Sequence, residues 1–232
     1  MTISIAILAL AAGLSVAMTG AWLVAISTGR SGWIDAIWSL ATGICGATAA
    51  LSLPAGAEPS ARQMLVAAMA LIWSLRLGLH IARRSASHGE DPRYKYLLAT
   101  WGEDFKARLF QFLQIQALAA FVLVLSIMLA AHRPEDGLTV ADGLGALLFI
   151  VAVIGEGVAD NQLSRFRSDP ANAGRICDAG LWARSRHPNY FFEWLVWLSY
   201  PLIALDFSGG YPWGWLSLTA RSEEHTSAPV TD

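Results

Sequence analysis

Charge is what this chain has least of. Charged residues make up 15% of its 232 residues and hydrophobic ones 55%, where an ordinary soluble domain carries roughly 25% charged. With ten tryptophans as well, that balance excludes a soluble globular domain and implies a polytopic membrane protein. Residues 1–29 contain no charged side chain at all. A cleaved signal peptide needs a basic start, so this stretch is expected to be a first spanning helix. Cysteine is limited to Cys45 and Cys177, which excludes a disulfide framework and lacks the paired spacing of a zinc site. Neither His-Glu-x-x-His nor Gly-x-Gly-x-x-Gly occurs, and Gly155-Glu-Gly157 does not continue the latter pattern. A bound metal and a Rossmann nucleotide site are therefore not expected.

Apolar runs cover residues 3–26, 33–53, 64–81, 109–131, 138–158 and 189–205. Each is expected to be helical and to cross a bilayer, whose hydrocarbon core of about 30 Å takes about 20 residues at 1.5 Å each. A seventh run, 211–220, is too short to cross. The expected fold is all-α: a single transmembrane helix bundle over residues 1–220, with six complete spans and a partial seventh. Twelve of the 16 Lys and Arg residues fall in the first, third and fifth connections, whereas the other side holds Arg62 and Arg133. The positive-inside rule then places the two long basic connections in the cytosol and the N-terminus outside. Membrane lipids and a lipid-soluble small molecule are the expected partners; neither nucleic acid nor a partner protein is implied.

Ionisable groups inside apolar spans are costly and mark functional sites. Arg76 and His80, four residues apart, share a helical face that should look into the bundle. Glu156 and Asp160 repeat that spacing at the far end of the fifth run. Asp35, just inside the second run, is either a helix-start carboxylate favoured by the positive end of the helix dipole or an active-site group. The polar stretch 83–108 contains His88-Gly-Glu-Asp-Pro-Arg-Tyr94. It reads as a connection punctuated by Gly89 and Pro92, either a ligand-contacting loop or a solvated linker.

The densest cluster is Arg184-Ser-Arg-His-Pro-Asn-Tyr-Phe-Phe-Glu193, where the sixth run begins. Pro188 suits the first turn of a helix, after which Asn189 and Glu193 share one face. Arginines hold phosphate through paired, charge-assisted hydrogen bonds, and the amide and carboxylate deeper in suit ribose hydroxyls or an amide headgroup. An interfacial anchor of snorkelling Arg with Tyr and Trp at headgroup level is the plainer alternative.

Taken in order, Leu75-Arg-Leu-Gly-Leu-His80, the 88–94 motif, Glu156 with Asp160, and Gly180-Leu-Trp-Ala-Arg-Ser-Arg-His-Pro-Asn-Tyr190 with Glu193 resemble the bacterial branch of the steroid 5α-reductase-like membrane family. The resemblance covers residues 33–215. It implies a seven-helix bundle in a bacterial inner membrane that binds NADPH from the cytosol and reduces an activated carbon–carbon double bond, an enone, in a lipid or steroid-like substrate. Such an enzyme is an oxidoreductase acting on CH–CH groups. By position, Asp160 and Arg167 match the family's cofactor contacts after the fifth helix, and Asn189 and Glu193 match its Asn-x-x-x-Glu pair. Arg93, Arg184, Arg186, His187 and Tyr190 complete the cofactor-binding candidates, and His80 and Asp35 are the catalytic candidates. Arg-His-Pro-x-Tyr also resembles the cofactor-binding stretch of isoprenylcysteine methyltransferases and of sterol reductases. S-adenosylmethionine and methyl transfer to a lipid-borne nucleophile thus stay open beside NADPH, as does a non-enzymatic membrane scaffold.

Two departures from the family pattern stand out. Ile81 occupies the position where animal steroid 5α-reductases carry a proton-donating tyrosine, and Asp35 is only the nearest acidic residue to their second-helix glutamate. Residues 221–232, beginning Arg221-Ser-Glu-Glu-His-Thr-Ser227, read as a translated sequencing adapter. They are set aside as a non-native tail. The family continues through a complete seventh helix, so this polypeptide is expected to lack one wall of the bundle and to be inactive.

Overall fold

The computed structural model describes residues 3–52, 57–87, 92–134, 137–206 and 210–221. Residues 88–91 of the polar motif and the tail beyond Arg221 lie outside them. The chain is an all-helical bundle: α1 (Ile3–Thr28), α2 (Trp33–Ala50), α3 (Ala61–Ser87), α4 (Pro92–Trp101), α5 (Phe105–Ala131), α6 (Val140–Ser168) and α7 (Pro188–Ala204). Among the described residues, four helical stretches are long and apolar enough to cross a membrane: Ser4–Thr28, Ala61–Ala86, Arg93–Ala131 and Val140–Ser168. α2 and α7, with 18 and 17 residues, reach only about 27 and 26 Å at 1.5 Å per residue.

The polar connection after α3 is not the loop read from its charges. α3 continues to Ser87, and Pro92 opens α4. Tyr94, Leu97 and Trp101, at helical spacing, join the apolar cluster of α1, α2 and α5. Three apolar contacts among many charges leave too weak a periodicity to announce a helix. α6 likewise runs on to Ser168, so Arg165 and Arg167 stand on its last turn and not in a loop. Cations are favoured there by the negative end of the helix dipole.

Close helix pairs bring the polar groups together. A Cβ on Gly43 of α2 would lie 2.1 Å from Ser74 of α3, and one on Gly145 of α6 would lie 2.4 Å from Ile203 of α7. Only glycine permits these approaches, and in a bilayer such packing replaces the hydrophobic drive that lipid cannot supply. Contacts Arg62–Asp142 and Arg76–Asp160 make α3 and α6 parallel. Gly145–Ile203 and Gly155–Phe192 make α7 antiparallel to α6. Ser85 Oγ donates to the Gly32 carbonyl at 2.6 Å, so the start of α2 sits at the same end as the last turns of α3 and α6. On α1, Ser15 Oγ donates to Gln114 Oε1 (2.7 Å) and Trp22 Nε1 to the Lys106 carbonyl (2.8 Å), tying α1 to the start of α5. The connection-borne Lys and Arg residues gather at this one end.

Arg62 and Arg133, expected beside connections at the opposite end, are buried there instead. Asp142 caps α6, accepting from the Thr139 backbone N–H at 2.7 Å, and also takes Arg62 in a two-pronged contact, Nε to Oδ1 at 2.8 Å and NH2 to Oδ2 at 2.9 Å. Arg133 donates to Asp142 Oδ2 at 3.2 Å and to the Ile203 carbonyl at 2.6 Å. One carboxylate thus ties α3, α6, the end of α5 and the end of α7. At the same end Pro212–Arg221 forms a 3-10 helix against α5 and α7. Tyr211 there donates its hydroxyl to the Leu129 carbonyl at 3.2 Å, while Trp213 and Trp215 are exposed.

Asp142→Ala leaves the Arg62 and Arg133 guanidiniums without their shared carboxylate and is expected to cost about 3–5 kcal/mol. The exposed Glu103→Ala is expected to stay within about 0.5 kcal/mol. Unfolding midpoints of the detergent-solubilised variants check this; an Asp142→Ala midpoint equal to the parent's would show that the network is not a clamp.

Candidate functional site

About midway along α3, helical spacing stacks Trp73, Arg76 and His80 toward α6 and α7. The Arg76 guanidinium contacts both Glu156 and Asp160, one turn apart on α6. His80 Nε2 stands 3.8 Å from Asp160 Oδ2. Glu156 is buried, and one of its carboxylate oxygens, Oε2, receives no donor among the described residues. On α7, Glu193 follows Phe192, whose ring would lie 2.3 Å from a Cβ on Gly155, the residue before Glu156. Glu193 is itself held by two indoles: Trp73 Nε1 reaches its two oxygens at 3.0 and 3.1 Å, and Trp197 Nε1 reaches Oε1 at 2.9 Å. Trp73 and Trp197 pack edge to face with ring centroids 4.6 Å apart, so the acceptor is fixed by two rings that also fix each other. Toward the arginine-rich end this cluster opens into a cavity of about 310 Å³, lined by Arg76, His80, Arg83, Asp160, Asn161 and Ser164.

The 180–187 segment is laid back along α6 beside this cluster. Leu181 N–H donates to Gln162 Oε1 and Trp182 Nε1 to the Ala159 carbonyl, both at 2.9 Å. That anchoring delivers Arg184, Arg186 and His187 to the end of the bundle where Asp160 lies, and Pro188 then starts α7. Arg184, Arg186, His187 and Tyr190 are exposed, as is Arg167. The His187 and Tyr190 rings stack with centroids 5.3 Å apart. Asn189 is different: its Oδ1 is buried and has no hydrogen-bond partner among the described residues.

Asp35 belongs to a second cluster. It lies in the first turn of α2, where a carboxylate is favoured, and is held from α4 by Arg93 and by the Tyr94 hydroxyl at 3.2 Å. The sequence candidates therefore fall in three places: His80, Asp160 and Glu193 in the central cluster, Asp35 with Arg93 between α2 and α4, and Arg167, Arg184, Arg186, His187, Asn189 and Tyr190 where α6 ends and α7 begins. Sequence reasoning missed Trp73 as a ligand of Glu193, since nothing local marks it. Trp197 had a legible signal, four residues after Glu193 on the same helical face.

Among the described residues, no group of His, Cys, Asp and Glu has the arrangement of a metal site. No solved structure matches the chain. An uncharacterized protein of Schizosaccharomyces pombe is 29% identical over 170 residues, covering 62% of this chain and 48% of that protein. The chain thus spans about half the length of the curated relative it matches. A family described as "Protein of unknown function (DUF1295)" matches residues 21–220. That span takes in both clusters whole, from Asp35 on α2 to Trp197 on α7, so the chain, its candidate site included, belongs to the DUF1295 family.

Proposed function

We propose that this protein is an NADPH-dependent membrane reductase of an activated carbon–carbon double bond in a lipid-soluble substrate. The observation that carries the reading is the polar cavity of about 310 Å³, with Arg76, His80, Arg83 and Asp160 in its lining, at the end of the bundle where basic residues collect. Small-ligand sites occupy about 300–1,000 Å³ and rely on a few convergent polar groups. The residues fit a dinucleotide: guanidiniums would take phosphate in paired hydrogen bonds, and Asp160 would accept from a ribose hydroxyl. Asn189, whose buried Oδ1 lacks a partner among the described residues, suits the N–H of a ligand carboxamide. By the positive-inside rule this end faces the cytosol, where the cofactor is found. The long apolar helices suit a substrate that arrives from the bilayer.

NADPH when bound supplies the hydride. The chain's own part is to bind, orient and polarise. Arg76 is held by two carboxylates and keeps a fixed position on the cavity wall. The His80 ring, also in the lining, would present an N–H to the substrate carbonyl, a role the isoleucine at position 81 cannot take.

Arg167→Ala, Arg184→Ala and Arg186→Ala are each expected to weaken NADPH binding by about 1.5–3 kcal/mol, roughly ten- to a hundredfold, if the side chain meets a phosphate. The one that meets the 2′-phosphate should weaken NADPH far more than NADH. Titration of the purified protein in detergent measures both; saturable S-adenosylmethionine binding with none of NADPH would replace the reductase by the methyltransferase reading.

Asn189→Leu separates a binding role from a scaffold role. A buried acceptor without a partner costs the fold about 1–3 kcal/mol of desolvation, so its removal should leave the unfolding midpoint unchanged or raise it while NADPH affinity falls. A lowered midpoint with affinity intact would assign Asn189 to the scaffold.

A further inference from the structure

α3 and α6 face each other in one constant register. Arg62–Asp142, Arg76–Glu156 and His80–Asp160 share a single offset of 80 residues, so the two helices run parallel and in phase, joined by side chains that reach across the seam. The cavity of about 310 Å³ lies in this seam: Arg76, His80 and Arg83 of α3 face Gly157, Asp160 and Asn161 of α6, and no other helix contributes to its lining among the described residues. α2 flanks α3 on one side and α7 flanks α6 on the other. The front of the seam is left uncovered. Ile72 and Leu79, seven residues apart on one face of α3, are exposed, and so is Ile150, seven residues before Gly157 on one face of α6. At membrane depth, exposed apolar side chains of this kind meet lipid.

Gly157 marks where the seam opens into the cavity. Gly145 and Gly155 of α6 are explained by α7, since a Cβ would come within 2.4 Å of Ile203 and 2.3 Å of Phe192. Gly157 has no such neighbour: nothing lies within 4 Å of a Cβ placed there. A glycine inside a helix is destabilising relative to a residue with a Cβ, and no packing at this position calls for one. What it does provide is bare backbone on the cavity wall, which lets a ligand approach closely. It is the deepest α6 residue of the lining, the others following toward the arginine-rich end. Asp160, nearly one turn later, stands 3.8 Å from His80.

We infer that the α3–α6 seam is a lateral mouth through which a membrane-dissolved amphiphile reaches the cavity, its polar end beside Arg76 and His80 and its chain passing over Gly157 into the bilayer between Ile72 and Ile150. The mouth stands on the side chains alone; that the amphiphile is an enone, with its carbonyl at His80, rests on the reductase reading. Arg76 bridges the two helices at this level, which keeps them within one side chain's reach of each other. A gap of that width suits a single extended chain better than a broad fused-ring body. The two ligands then arrive from different phases, the cofactor from water at the arginine-rich end and the substrate from lipid at the side.

Equilibrium binding to the full chain in lipid nanodiscs tests the mouth, with a radiolabelled linear long-chain enone and NADPH as separate probes. Gly157→Leu puts a side chain into open space, so its unfolding midpoint should equal or exceed the parent's and its NADPH affinity should be unchanged. Its affinity for the enone should fall by about tenfold or more. Gly20→Leu, on α1, also enters open space but lines no cavity, and should change neither. Gly157→Ala should weaken the enone by a smaller step, and it decides should the leucine variant fail to fold. Undiminished enone binding by folded Gly157→Leu, or an equal loss of both probes, would overturn the inference. NADPH bound by the parent with no saturable binding of the enone would remove the lateral mouth alone. Enone binding that Gly157→Leu abolishes, in a parent that binds no NADPH, would remove the reductase reading alone.

Discussion

A charge inside a dry helix bundle must find its counter-charge inside the same bundle, and two such pairings hold this protein together. Arg62 and Arg133 converge on Asp142 near one end, while Arg76 spans Glu156 and Asp160 further along the same two helices. α3 and α6 are thereby joined at two levels. With two points of attachment fixed, α3 cannot slide or rotate against α6 without stranding a guanidinium in an apolar medium.

The two networks differ in the sign of their surplus. At the Asp142 end, two guanidiniums share one carboxylate and are completed by backbone carbonyls of Arg133 and Ile203, which makes a closed structural joint. Around Arg76, carboxyls outnumber guanidiniums and the group opens into a cavity. Edge-to-face contacts from Trp38 to Trp73 and from Trp73 to Trp197 carry rigidity across α2, α3 and α7 beneath it. Trp38 Nε1 extends the chain of contacts to the Gln116 carbonyl of α5 at 3.1 Å. The site thus rests on four helices, and its acceptor Glu193 is oriented by indoles and not by a flexible base.

Membership of a family of unknown function leaves the chemistry to be argued from the side chains. Asp160, His80 and Glu193 lie in one cluster around Arg76 and Trp73. Asp35 lies apart from it, engaged by Arg93 and the Tyr94 hydroxyl of α4.

The sequence alone determined the all-helical class, the bundle's long apolar helices, the inward face of Arg76 and His80 and the start of α7 at Pro188. Hydropathy and four-residue spacing are properties of single segments and can be read one segment at a time. α4 and the extension of α6 escaped that reading because their apolar contacts are too few among charged neighbours. Which carboxyl meets which guanidinium was decided by tertiary structure: Arg62 and Asp142 are 80 residues apart, Arg76 and Asp160 84, Trp73 and Glu193 120. The glycines that let α2 approach α3 and α6 approach α7 set the depth and rotation of each helix. Those two quantities decide whether a buried acid faces an arginine or an indole.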